Sequence, residues 1–161
     1  MKNLKSKESW IMKYTEALNN DIIESGDVIV WSENGIKIDH VGIAYIKNNT
    51  RSIFEAKLYK GIRKIDMDNK TPFFVIKSGV VWNSKLLNIC NYLLGSRYSY
   101  LQHFLIKWKL NRPLGGFTNS TFVAMLLNSA GYRINFVGLT PTKLVSELLG
   151  LGRKSIEVIN D

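Results

Sequence analysis

Few side chains in this chain can serve as nucleophile, general base or metal ligand, and their placement limits the chemistry open to it. There is one cysteine, Cys90, and there are two histidines, His40 and His103. A single cysteine permits no internal disulfide and no cysteine metal cluster. A zinc site would need both histidines and carboxylates at no recognisable spacing, so neither a metal nor another cofactor is expected. Cys90 falls on the apolar side of a helical run, where cysteines behave as small inert hydrophobes. His103 lies between apolar and basic neighbours and reads as surface or packing. The stretch best placed for chemistry is Thr118-Asn119-Ser120, which follows a Gly115-Gly116 turn and opens an apolar helix ending at Gly131. Thr118 or Asn119 can cap that helix by accepting from its first unpaired N–H groups. The free N–H groups and the dipole make such a polar mouth favourable for anionic chemistry or for contact with a bound ligand.

The elements that must hold these residues follow from periodicity. Lys7 to Leu18 reads as a helix with Trp10, Tyr14 and Ala17 or Leu18 on one side. After Gly26-Asp27, short β-favouring runs at 28–31, 41–45, 52–56, 61–65 and 73–76 are separated by turn signals such as Asn48-Asn49-Thr50. Their connections are too short for crossover helices, so an antiparallel meander is expected. The period then changes. Leu86, Cys90 and Leu93 share one helical face between Trp82 and Leu94, and Gly95 closes the run. Leu101 to Leu110 reads as a second helix, ended by Asn111-Arg112-Pro113. Asn119 to Ala130 reads as the next helix. Thr140-Pro141 caps and starts one through Leu149, and 156–159 reads as a last strand. The expected fold class is α+β, with a barrel-like antiparallel meander packed on helices.

Whole-chain properties narrow the function classes. A length of 161 residues, with 45% apolar and 22% charged residues, suits one globular domain with a real core. We divide it into an N-terminal helical extension (1–25), a core (26–149) and a C-terminal strand and tail (150–161). No run approaches the roughly 20 apolar residues of a membrane span. The N-terminus is basic but lacks the apolar region of a signal peptide, which points to a cytoplasmic or virion-associated protein. The formal charge of +9 favours an anionic partner. The lysines are nevertheless scattered, without the basic-aromatic pattern of a nucleic-acid module, so a solvated basic surface is the simpler reading.

Taken in order, GDVIVW, DHVGIAY, IFEA, KGIRKI, NSTFVAMLLNSAG and TPTKLVSELL resemble the circularly permuted NlpC-like (YiiX/YebB-like) branch of the papain-fold cysteine hydrolases. The resemblance runs from about Gly26 to about Leu149. It implies a permuted papain-like fold in which His40 is the general base and Glu55 orients its imidazole. It places Tyr98 where an aromatic residue often lines the substrate groove. The family nucleophile is a cysteine at the helix N-terminus, where dipole and imidazole together lower the thiol pKa. Here the matching position is Asn119. A carboxamide nitrogen has a delocalised lone pair and cannot be activated for attack. Ser120 is the nearest hydroxyl, but one helical residue turns it about 100° away from a histidine that serves position 119.

Three functions compete on this basis. The preferred one is a pseudoenzyme that keeps the hydrolase framework for binding or structure, for instance in a phage or virus particle. Its ligand would be a peptide, a peptidoglycan fragment or an acyl-lipid amide. The second is a live cell-wall peptide or acyl-amide hydrolase, working through Ser120 or with Asn119 an engineered replacement of cysteine. The third is a basic nucleic-acid-binding module.

Overall fold

The computed structural model describes residues 9–13, 16–17, 21–32, 37–48, 50–67, 74–98 and 118–159. Its strands are β1 (Ser9–Lys13), β2 (Val28–Ser32), β3 (Ile38–Lys47), β4 (Thr50–Lys57), β5 (Gly61–Asp66), β6 (Phe74–Ile76) and β7 (Ser155–Ile159). Its helices are α1 (Ser84–Leu93), α2 (Asn119–Ser129) and α3 (Pro141–Gly150). The class is α+β, as expected. The strands form one sheet in the order β1-β7-β6-β2-β3-β4-β5, with antiparallel neighbours from β7 to β5 and β1 parallel to β7 at the edge.

Two expectations are corrected. Residues 9–13 are a strand rather than part of a helix, with Ser9 registered on Ser155 and Lys13 on Ile159. A helix of about twelve residues is marginal by itself, and the open edge of β7 offers residues 9–13 a ladder instead. The meander is also shorter than expected. It covers β2 to β5, whereas β6 returns to the far side of β2, with Val28 opposite Ile76. Among the described residues the sheet keeps two ends, at β1 and β5, and does not close into a barrel. The helix read over Leu101–Leu110, with His103, and the Gly115-Gly116 turn lie outside the described residues.

Strand alternation divides the core. In β2, Val28 and Val30 join the larger cluster, while Ile29 and Trp31 join a second cluster on the opposite face. The larger cluster is where the helices pack, through Leu86 and Cys90 of α1, Phe122, Val123, Leu126 and Leu127 of α2, and Leu144, Val145 and Leu148 of α3. Each such aliphatic or aromatic side chain contributes about 1.5–3 kcal/mol by leaving water. The smaller cluster is covered by Ala17, Ile23 and Met67 from segments outside the strands. No helix among the described residues is long and apolar enough to cross a membrane.

Candidate active site

The site forms where two neighbouring strands part. β3 pairs with β4 from Lys47↔Thr50 to Ile43↔Phe54. Beyond that point β3 continues against β2, with His40 opposite Trp31, and β4 continues against β5, with Glu55 opposite Arg63. The splay leaves room for His40 and Glu55 to face each other. Gly42 lies at the same point, and a Cβ there would come within 2.6 Å of Ile53 Cγ2. A larger residue would therefore push the strands apart. The Trp31 ring lies 5.2 Å from that of His40, centroid to centroid, and covers it on the β2 side.

The N-terminus of α2 closes the site. Thr118 is the N-cap: its hydroxyl accepts from Thr121 N–H, and Thr121 Oγ1 accepts from Thr118 N–H at 2.8 Å, a reciprocal capping box. Of the two caps the sequence offers, the helix uses Thr118. Asn119 is the first helical residue, and its side chain turns to the sheet instead. Its Nδ2 donates to His40 Nδ1 at 2.8 Å and to the Asp39 carbonyl at 3.2 Å, and its Oδ1 accepts from Ser120 N–H at 2.6 Å. The amide orientation follows from these partners. Flipped, it would set its oxygen against a carbonyl and its NH2 against an N–H.

His40 is thus held at both ring nitrogens. Nδ1 accepts from Asn119, so Nε2 carries the proton that is donated to Glu55 Oε2, at 2.5 Å. The other Glu55 oxygen accepts from Arg63 Nε and Nη2 at 2.7 and 2.5 Å. His40, Glu55 and Asn119 are all buried, at 7%, 3% and 7% exposure, so water does not replace any of these partners. Burial alone would raise the Glu55 carboxyl. The hydrogen bonds from His40 and Arg63, with the positive charge beside the carboxylate, outweigh it and bring the group from an ordinary 4.5 down to about 2. The carboxylate is fully ionised at neutral pH, and the imidazole tautomer is set.

The remaining sequence candidates lie as follows. The Ser120 hydroxyl donates to the Leu139 carbonyl at 2.7 Å and lies 3.2 Å from Thr118 Oγ1, so its partners are on the helix side and not His40. Tyr98 is buried in the larger apolar cluster. Cys90 is also buried there, and desolvation pushes its thiol up to about 12, which leaves no thiolate at neutral pH. Among the described residues, no group of three or more His, Cys, Asp or Glu side chains is placed to hold a metal.

Sequence reasoning missed Arg63, which makes more hydrogen bonds to Glu55 than His40 does. The signal was present in the hairpin. A turn at Leu58-Tyr59-Lys60 sets Lys57 opposite Gly61 and therefore Glu55 opposite Arg63. The Asp39 carbonyl, a backbone acceptor, leaves no trace in residue type.

Chemically, the arrangement is an imidazole held by a carboxylate and facing a helix N-terminus. The first residue of that helix carries an amide. The accepting nitrogen of His40 is occupied by a donor that does not give up its proton, so the imidazole has nothing to activate. No protein-family model matches the sequence, and comparison with curated proteins found no match.

Proposed function

We propose that the protein is a catalytically silent relative of the permuted NlpC-like, papain-fold cysteine hydrolases, retained as a binding or structural domain. One observation carries this reading: His40 sits between Glu55 and Asn119 in hydrogen-bonding contact with both, with the amide at the place a thiol would need. The Glu–His pair, the strand that carries each member and the helix N-terminus all agree with a nucleophile site, and only the nucleophile differs. On this reading the groove recognises the kind of molecule such hydrolases handle: a peptide, a peptidoglycan stem fragment or an acyl-lipid amide. The domain holds that ligand without cleaving it, or serves as one component of a larger assembly such as a virus particle. Fold likeness alone does not assign a function, so the silent-site reading rests on the site chemistry and the ligand class on analogy with the family.

The test is to restore the thiol. Asn119→Cys should acquire slow hydrolysis of peptidoglycan fragments or acyl esters, abolished by adding His40→Ala, while the unmodified protein remains inert. Turnover by the unmodified protein that disappears in Ser120→Ala would overturn the proposal. The geometry argues against that outcome, since the Ser120 hydroxyl is committed to the Leu139 carbonyl.

A further inference from the structure

At the end of α2 opposite Asn119, the chain forms a concavity of about 600 Å³. It lies between the Gly79–Val81 segment, the turn after α2 and the turn after α3. Two arginines line it, Arg133 and Arg153, and among the described residues neither pairs with a carboxylate. The Arg153 guanidinium lies over the Tyr132 ring, 5.1 Å from its centroid, and the Tyr132 hydroxyl is itself anchored on the Ser78 carbonyl. Arg153 also packs against Gly79 through Nη1. A Cβ at that position would come within 3.0 Å of Nη1, and Gly79 has a φ of +71° that glycine alone adopts without strain. The guanidinium is therefore fixed in place by a ring on one side and bare backbone on the other.

This fixed guanidinium bonds the Tyr132 side chain but is only partly satisfied. Arg153 Nε is buried and has no hydrogen-bond partner. A buried donor without an acceptor costs about 1–3 kcal/mol, more for a charged group, and is rare without a reason. One reason would be helix capping, because α2 and α3 both end here and their last carbonyls are negative. Those carbonyls are already taken by backbone amides. Gly131 and Tyr132 N–H cap Asn128 and Leu127, and Gly152 and Arg153 N–H cap Leu149 and Leu148. Apart from the bond between Arg153 and Tyr132, both arginines lack an anionic partner among the described residues. Beside them are two apolar side chains that the fold does not cover, Val81 at 83% exposure and Leu151 at 62%.

We infer that this concavity is a binding site for an organic phosphate, whose phosphate group pairs with Arg153 and Arg133 while its apolar portion lies on Val81 and Leu151. Two guanidinium groups suit a dianion better than a single carboxylate, and planar N–H pairs match phosphate oxygens. No bond is made or broken. The site is independent of the His40–Glu55–Asn119 cluster, being at the other end of α2, and goes beyond the hydrolase-like reading. The same chemistry could come from a soluble phosphate ester or from a phospholipid headgroup.

The experiment is a titration of the ¹⁵N-labelled protein, followed by amide shifts. The probes are inorganic phosphate, monomeric dihexanoyl phosphatidic acid, and phosphatidylcholine vesicles with and without phosphatidic acid. Saturable shifts confined to the amides of 79–81, 131–133 and 151–153 are expected, with phosphatidic acid binding more tightly than inorganic phosphate. Arg153→Gln and Arg133→Gln should each weaken binding about tenfold, as expected for loss of a charge-assisted pair. Lys60→Gln, which removes one charge from an exposed turn, should change it less than about twofold. Binding of the soluble ester alone marks a metabolite-like ligand, and additional retention on the acidic vesicles marks a headgroup; both support the site. Shifts spread over the lysine-bearing surface, no saturation, or an equal loss in Lys60→Gln would overturn it. Arg133 is exposed, so its variant tests the site even if Arg153→Gln does not fold.

Discussion

Replacing Glu55 by Gln keeps the shape of the side chain and removes its charge, which isolates what the buried carboxylate contributes. The carboxyl is held at about 2 in the folded chain against an ordinary 4.5. At about 1.4 kcal/mol per pH unit, folding favours the ionised form by roughly 3 kcal/mol. Arg63 is 32% exposed, and water there screens part of its share. The expected loss of stability at pH 7 is therefore about 2–3 kcal/mol. The folded value is the lower one, so the stabilisation is fully present above 4.5 and disappears as pH falls through about 2. Urea unfolding of the parent and Glu55→Gln should show that gap at pH 7 and a gap below about 1 kcal/mol near pH 2.5. A gap under about 0.5 kcal/mol at pH 7, or one that does not change with pH, would refute the assignment of Glu55 as an ionised clamp between His40 and Arg63.

Other consequences follow from the same geometry. Thr118→Ala removes the hydroxyl half of the capping box, leaving the Thr118 N–H bond to Thr121 Oγ1, and should cost about 1 kcal/mol in thermal or urea unfolding, whereas Thr118→Ser should restore most of it. Asn119→Ala strands His40 Nδ1, the Asp39 carbonyl and the Ser120 N–H and should cost about 1–3 kcal/mol, so an unchanged midpoint would mean the amide is not part of the lock. Lys77 donates to Asp27, to Glu24 and to the Ile22 carbonyl. Burial raises the Asp27 carboxyl despite that partner. Lys77→Met should therefore destabilise by about 3 kcal/mol at pH 7, with the deficit shrinking as pH falls through the Asp27 titration and its buried charge is lost.

How much of this was legible in the residues depended on the range of the interactions involved. The hairpins from β2 to β5 and the three described helices carry their own local signals: turn residues, a change of period at Trp82, and the Thr140-Pro141 start of α3. The partners of β1 and β6 carry none. Ser-Trp-Ile-Met-Lys is compatible with either period. Its ladder partner, Ser155–Ile159, lies more than a hundred residues away. For β6, spacing shows that a strand follows β5 but not which edge of the sheet it joins, because the choice is made by packing against β2 and β7. The candidate site divides the same way. His40, Glu55 and Asn119 were singled out through family resemblance, and their hydrogen bonding in three dimensions comes from the parting of β3 and β4, which no local pattern announces. Asn119 as first helical residue rather than cap could be decided only by the backbone angles of Thr118.

The central claim is that the chain retains a nucleophile site in which an amide occupies the place of a thiol. It is tested most directly by the pH dependence of alkylation of Asn119→Cys with iodoacetamide, read by mass spectrometry. Cys90 gives no background, since its buried thiol is held at about 12. The account predicts that alkylation turns on below about pH 7, because the α2 N-terminus and His40 both favour the thiolate, and that His40→Ala moves the midpoint upward. A midpoint near the ordinary thiol value of about 8.5, unmoved by His40→Ala, would contradict it.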